Sequence, residues 1–280
     1  MAFSFTPDLC KTHDWSPIAG AASQSAIAAV LAGFVFAGII VIISVTEHGL
    51  KREAAQALKL LFTAFFGLAV TSYLLADMAG EQTCPRAETT EALAGGALGA
   101  FAVIMITSLT WLVVAFKRHD HNVLEFLRGL VYVSCVFVVL LLCTNSTTYL
   151  VADLYNGPQS VVDPALYATG GLFIVGGAIW IWRIPKHNSK ATDVATTSDT
   201  AVNWCTWGAL TYLALTSLAT GVAASIPAKM WYPYPARWPI YIAAASSLIL
   251  PLVVLTLAIG GLARTGPGRT RRTGAGDTST

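Results

Sequence analysis

The sequence predicts an all-α, polytopic membrane protein, a bundle of seven transmembrane helices. Three observations carry that reading. Of 280 residues, 55% are hydrophobic and only 11% are charged, with a mean hydropathy of +0.63, whereas soluble domains carry about a quarter charged residues. Seven apolar runs follow one another, each near the roughly 20 residues that cross a hydrocarbon core. Lys and Arg alternate from one side of these runs to the other, as the positive-inside rule requires. Runs this long and continuous suit helices, which satisfy their own backbone groups in lipid, and not barrel strands.

The spans are 22–45, 57–79, 92–116, 126–150, 165–183, 203–226 and 239–262. An extracytoplasmic segment, 1–21, precedes the seven-helix domain of 22–262, and a basic, Gly-rich tail, 263–280, follows it as a disordered cytoplasmic segment. The first residues, MAFSFTPDLCKTHDW, lack a basic stretch leading into an apolar one. The first span is therefore expected to serve as an uncleaved insertion signal. Ser16-Pro17 and Asp163-Pro164 read as a capping residue followed by a first-turn proline, and Trp238-Pro239 supplies the proline alone. GLKREAAQALKLL (49–61) and NVLEFLRGL (122–130) are good helix formers that extend the second and fourth spans beyond the apolar run. PKHNSKATDVATTSDT (185–200) is polar and reads as a loop.

Thirteen of the 17 basic residues fall on one set of connections; Lys11, Arg86, Lys229 and Arg237 fall on the other. That asymmetry puts the amino terminus outside and the carboxyl terminus in the cytoplasm of a multi-pass plasma-membrane protein. The net charge of +2 is too small, and too scattered, to suggest nucleic acid.

A motif recurs at two helix ends. TSYLLAD (71–77) closes the second span and TTYLVAD (147–153) the fourth, with five identities in seven. LAVTS (68–72) in the second span is matched by LALTS (213–217) in the sixth. These echoes suggest a two-helix unit used three times, plus a seventh helix. The counter-reading is chance, since Leu, Ala, Thr and Ser are common in membrane helices.

A carboxylate at a helix carboxyl end opposes the helix dipole, and partial burial in lipid raises its cost. Either each aspartate sits in solvent or something compensates it. Arg86, Lys229 and Arg237, a cation and a proton are the candidates. The i,i+4 spacing stacks Asp77 over Tyr73 and Asp153 over Tyr149. With Asn145 and the Ser/Thr residues at 71–72, 144–148, 216–217 and 246–247, they form the candidate ligand site, an outward-facing polar vestibule. The same small residues are also ordinary helix-packing material. Trp231, Tyr232 and Tyr234, in WYPYPARWP (231–239), would gate it, or else form an interfacial aromatic belt.

Other chemistry is not legible. No charged or histidine side chain falls near the middle of a span, which argues against proton relays and against a retinal Schiff base. The five histidines lie near or beyond span ends, so neither haem nor buried zinc is expected, and no cofactor or metal is assigned. No nucleophile–base pattern marks an enzyme. Cys10 and Cys84, both on the outer side, are the candidate disulfide. Gly95-x-x-x-Gly99 permits close helix contact, within one bundle or between copies.

The sequence thus leads to a membrane protein that binds or conducts a small solute or cation from the outer face, in the manner of a transporter or channel. The alternative is a non-catalytic receptor or accessory subunit acting through its cytoplasmic loops and tail. The partners are the bilayer and the solute or cation, with a second copy or another membrane protein left open.

Overall fold

The computed structural model describes residues 17–45, 52–115, 121–153, 191–227, 237–260 and 262. They form six helices and no strands: α1 (Pro17–Val45), α2 (Arg52–Met78), α3 (Cys84–Ala115), α4 (His121–Asp153), α5 (Ala191–Ser225) and α6 (Arg237–Gly260). Five of them, α1 to α5, are long and apolar enough to cross a membrane. The predicted fifth span, 165–183, lies outside the described residues, as do 1–16, the 228–236 stretch and the tail from 263.

Several helix ends fall where the sequence puts them. Pro17 opens α1, and α2 and α4 begin in the polar, helix-forming stretches at Arg52 and His121. Two boundaries differ. α3 starts at Cys84, not near 92, because Pro85 fits a first turn and the charges that end a hydropathy window are partnered there, Arg86 by Glu81 and Glu91 by Gln24. α5 starts at Ala191, so most of the stretch read as a loop is helical. Ser and Thr are only mildly unfavourable in a helix, and the long apolar run that follows carries the helix onward.

α3 is the hub, packing against all five other helices. The others follow around it in the order α4, α6, α5, α2, α1, each packed on the next. Residues on α3 mark these directions. Gly95 and Gly99 face Asn145 and Val138 of α4, Gly96 faces α5 and α6, and Phe101 faces Gly67 of α2. At about 100° per residue, α2 and α4 lie roughly 140° apart around α3.

Glycine decides how closely these helices approach. A Cβ on Gly99 would lie 2.6 Å from Val138 Cγ1, and one on Gly67 would run into the Phe101 ring. The glycine pattern at 95–99 therefore serves contact within one bundle. Phe101 fills the notch at Gly67 on one side, and on the other its ring stacks on Tyr212 of α5, with centroids 6.4 Å apart.

The outside of the bundle is apolar. Phe34, Phe62, Phe66, Phe137, Trp204, Trp207 and Leu218 are all exposed. A soluble monomer does not leave such continuous apolar surface in water, so hydrocarbon is the solvent this exterior fits.

Candidate functional site

Tyr73 and Asp77 do share a face of α2, as their spacing requires, but it is the outer one. Tyr73 is 70% exposed and Asp77 is exposed. Both continue the stripe of Phe62 and Phe66, opposite the stripe of Ala64, Leu68, Thr71 and Leu75 that is buried against the bundle. Tyr149 and Asp153 lie in the last turn of α4, with side chains outside the described residues. α3 stands between α2 and α4, so the Tyr-Asp ends belong to helices held apart and not to neighbours.

Most hydroxyls of the expected vestibule pack helices. Ser72 of α2 and Ser25 of α1 exchange hydrogen bonds, each hydroxyl donating to the other's carbonyl at 3.0 and 2.8 Å. Thr71 donates to the Gly67 carbonyl one turn back at 2.7 Å. Thr63, Thr107, Thr144, Thr206, Thr220 and Thr256 likewise donate four residues back along their own helices. This is how a helix in lipid satisfies a hydroxyl without a partner helix.

One group departs from that habit. Tyr212, in the middle of α5, is 2% exposed and Thr216, one turn on, is 1% exposed. Neither hydroxyl finds a hydrogen-bond partner elsewhere among the described residues, and the two lie close enough to interact with one another. The Tyr212 hydroxyl lies against the bare backbone of α3: a Cβ on Gly96 would be 2.9 Å from it, 3.1 Å from Pro251 Cγ and 3.2 Å from the Ser247 carbonyl oxygen. The Tyr212 and Ser247 oxygens are therefore at most about 6 Å apart, packed tightly against the α3 backbone.

The carbonyl is there for a reason the sequence contains. Pro251 follows Ser247 by four residues inside α6 and has no N–H to return the usual helical bond. Next to this node, Ser146 of α4 and Ser247 of α6 bring their hydroxyls to 3.5 Å, and the Asn145 amide nitrogen reaches the backbone at Gly95. α3, α5 and α6 thus meet at Gly96, Tyr212 and Ser247, and Ser146 and Asn145 of α4 reach the adjoining face of α3 and α6.

Of the sequence candidates, Asn145 borders this node, together with Thr216 and Ser247 from the expected hydroxyl groups. Tyr73 and Asp77 do not reach it. Trp231, Tyr232, Tyr234 and Cys10 lie outside the described residues. Cys84 is half-buried at the start of α3; Cys135, Cys143 and Cys205 are buried within the bundle. Tyr212 and Gly96 were missed, although a mid-span tyrosine with threonine at i+4, and a serine with proline at i+4, were both visible signals.

Arg86 has a different role from the one expected. Its guanidinium binds Glu81 at 3.1 Å and donates to the Ile226 carbonyl just past the end of α5 at 2.8 Å. Glu81 also accepts from the backbone N–H groups of Gln82 and Thr83. Together they pin the α2–α3 turn to the end of α5. At the far end of the bundle, Arg52 pairs with Asp199, and Gln56 donates to the same carboxylate at 3.0 Å. Among the described residues no cluster of three or more His, Cys, Asp or Glu side chains could hold a metal.

Set against known protein families, curated proteins and solved structures, the chain matches none.

Proposed function

We propose that this multi-pass membrane protein binds a small solute from the outer face of the plasma membrane, at the node of Tyr212, Thr216, Gly96, Ser247 and Asn145, and conducts it. One observation carries the reading: two neighbouring hydroxyls buried in lipid-embedded helices have no hydrogen-bond partner beyond one another. Buried polar groups are nearly always satisfied, and an unmade hydrogen bond costs about 1–3 kcal/mol. A bound solute would remove that cost.

The topology proposed with it has seven crossings, with the amino terminus outside. The distribution of basic residues supports the orientation. Matched burial in the two echoing segments supports a repeated hairpin: Leu68 and Leu213 are buried, and so are Thr71 and Thr216. We also propose that Cys84 pairs with Cys10; in support, Cys84 is not among the free thiols. The aromatic loop at 231–239 would cover the outer mouth.

Thiol labelling tests access. In Thr216→Cys, a small membrane-impermeant thiol reagent added outside should react well faster than it does with native Cys205, which lies about three turns nearer the start of α5. Reaction no faster than at Cys205, or reaction from the cytoplasmic side alone, would discard the outward-open site.

A further inference from the structure

We infer that the lipid-facing side of α2 binds an anionic phospholipid, its phosphate on the Lys59 ammonium and an acyl chain along Phe62 and Phe66. The site is separate from the node at Gly96 and stands without it.

The exposed residues of α2 form one stripe. Lys59, Phe62, Phe66, Tyr73 and Asp77 are all exposed, and their spacing keeps them on one side of a 3.6-residue helix. Lys59 and Asp77 are five full turns apart, about 27 Å of rise, close to the roughly 30 Å of a hydrocarbon core. The two charges bracket the apolar part of the stripe. Lys59 therefore sits at the hydrocarbon boundary on the side where α2 starts, the cytoplasmic side in the topology proposed above. Helix side chains lean toward the amino-terminal end. Lys59 thus leans toward the nearer headgroups, with its apolar stem along the helix and its ammonium at phosphate level.

This cation is available. Among the described residues its ammonium has neither an ion pair nor a hydrogen bond. Asp199 is occupied by Arg52 and Gln56, Glu53 lies about 120° around α2 from Lys59, and α1, packed beside α2, carries no acid. A lipid-facing cation without a protein partner fits the anion that a membrane supplies. Phosphatidylcholine has a phosphate whose charge its own choline cancels, whereas a net anionic headgroup leaves the attraction unopposed. Asp77 repels such a headgroup at the other end of the stripe, so the helix favours it in one leaflet only.

The chain of the lipid has a wall to follow. Phe62 and Phe66 lie about one and two turns from Lys59. The Phe66 ring meets Phe65 at 5.4 Å, and Phe65 meets Phe36 of α1 at 5.6 Å. Phe36 and Phe66 are each about half exposed, so α1 and α2 share one aromatic surface open to lipid.

Native mass spectrometry of the full chain in neutral detergent tests the site, reading the affinity of the first lipid bound. Wild type should hold phosphatidylglycerol more tightly than phosphatidylcholine. Lys59→Gln should weaken phosphatidylglycerol about fivefold, the scale of one basic residue at a lipid surface, and leave phosphatidylcholine unchanged. Lys59→Arg should keep the preference, and Phe66→Ala should weaken both lipids alike. In wild type, molar sodium chloride should erase the preference, a check that needs no variant. Glycerol 3-phosphate should not raise the thermal midpoint as phosphatidylglycerol does; an equal rise would point to free phosphate and overturn the lipid. Unchanged phosphatidylglycerol affinity in Lys59→Gln, or a preference that survives molar salt, would discard the headgroup site. Full affinity for both lipids in Phe66→Ala would discard the acyl path.

Discussion

The hydroxyl of Tyr212 faces the backbone of Gly96 with no side chain between them. The pair makes a stability prediction independent of any ligand. Tyr212→Phe removes a buried hydroxyl with no partner beyond Thr216 and keeps the ring that stacks on Phe101. It should raise the thermal midpoint of the ligand-free protein in detergent, by up to about 1–3 kcal/mol of unfolding free energy. Gly96→Ala should lower it, and by less when Tyr212→Phe is also present, because the closest collision is then gone. Additive effects of the two substitutions would show that they do not touch.

Gly67 and Phe101 form a second such contact, purely apolar. Gly67→Ala forces a methyl into the face of a fully buried ring, an overpacking worth about 1–3 kcal/mol or more. Phe101→Leu alone should also destabilise, through lost packing volume. The double variant should be more stable than the sum of the singles predicts, as measured by chemical or thermal unfolding in micelles.

Arg86 is mostly buried and joins Glu81 to the end of α5. Arg86→Ala should destabilise by about 2–3 kcal/mol, since a partly buried carboxylate loses its cation and a helix-end carbonyl its donor. Arg86→Lys should recover only part of this, as one ammonium cannot reproduce a guanidinium that reaches two acceptors. Protease sensitivity of the 79–83 turn would report the same loosening.

Asp77→Asn should leave both thermal stability and solute flux unchanged within error. Asp77 is exposed on the lipid-side stripe of α2, and no hydrogen bond of its carboxylate is found among the described residues. Loss of flux in this variant, with folding intact, would bring the acidic helix end back into the site.

Much of the backbone was legible in the sequence, and the site only in fragments. The starts of α1, α2 and α4 follow from Pro17 and from two helix-forming polar stretches. Asn145, Thr216 and Ser247 were named as vestibule residues, yet without Tyr212 and Gly96 they had no centre. The Tyr-Asp echo drew attention to helix ends because charge is conspicuous against an apolar background. A buried hydroxyl in mid-span is not.

What the sequence determined by itself is the set of helices crossing the described bundle. In lipid a helix makes its backbone hydrogen bonds within its own segment, so a run of apolar residues is enough to specify one. What only the tertiary structure decided is which way each helix is turned. Inside a bilayer, core and surroundings are equally apolar, and burying a phenylalanine gains little over leaving it in lipid. Phe62 and Phe66 therefore point outward while Gly67 and Thr71 point in, the reverse of what hydropathy suggests for a protein in water. Fit between shapes sets the rotation: the Phe101 ring against Gly67, and the Tyr212 hydroxyl against Gly96. That rotation carried Asp77 to the outside and brought Tyr212 to the centre.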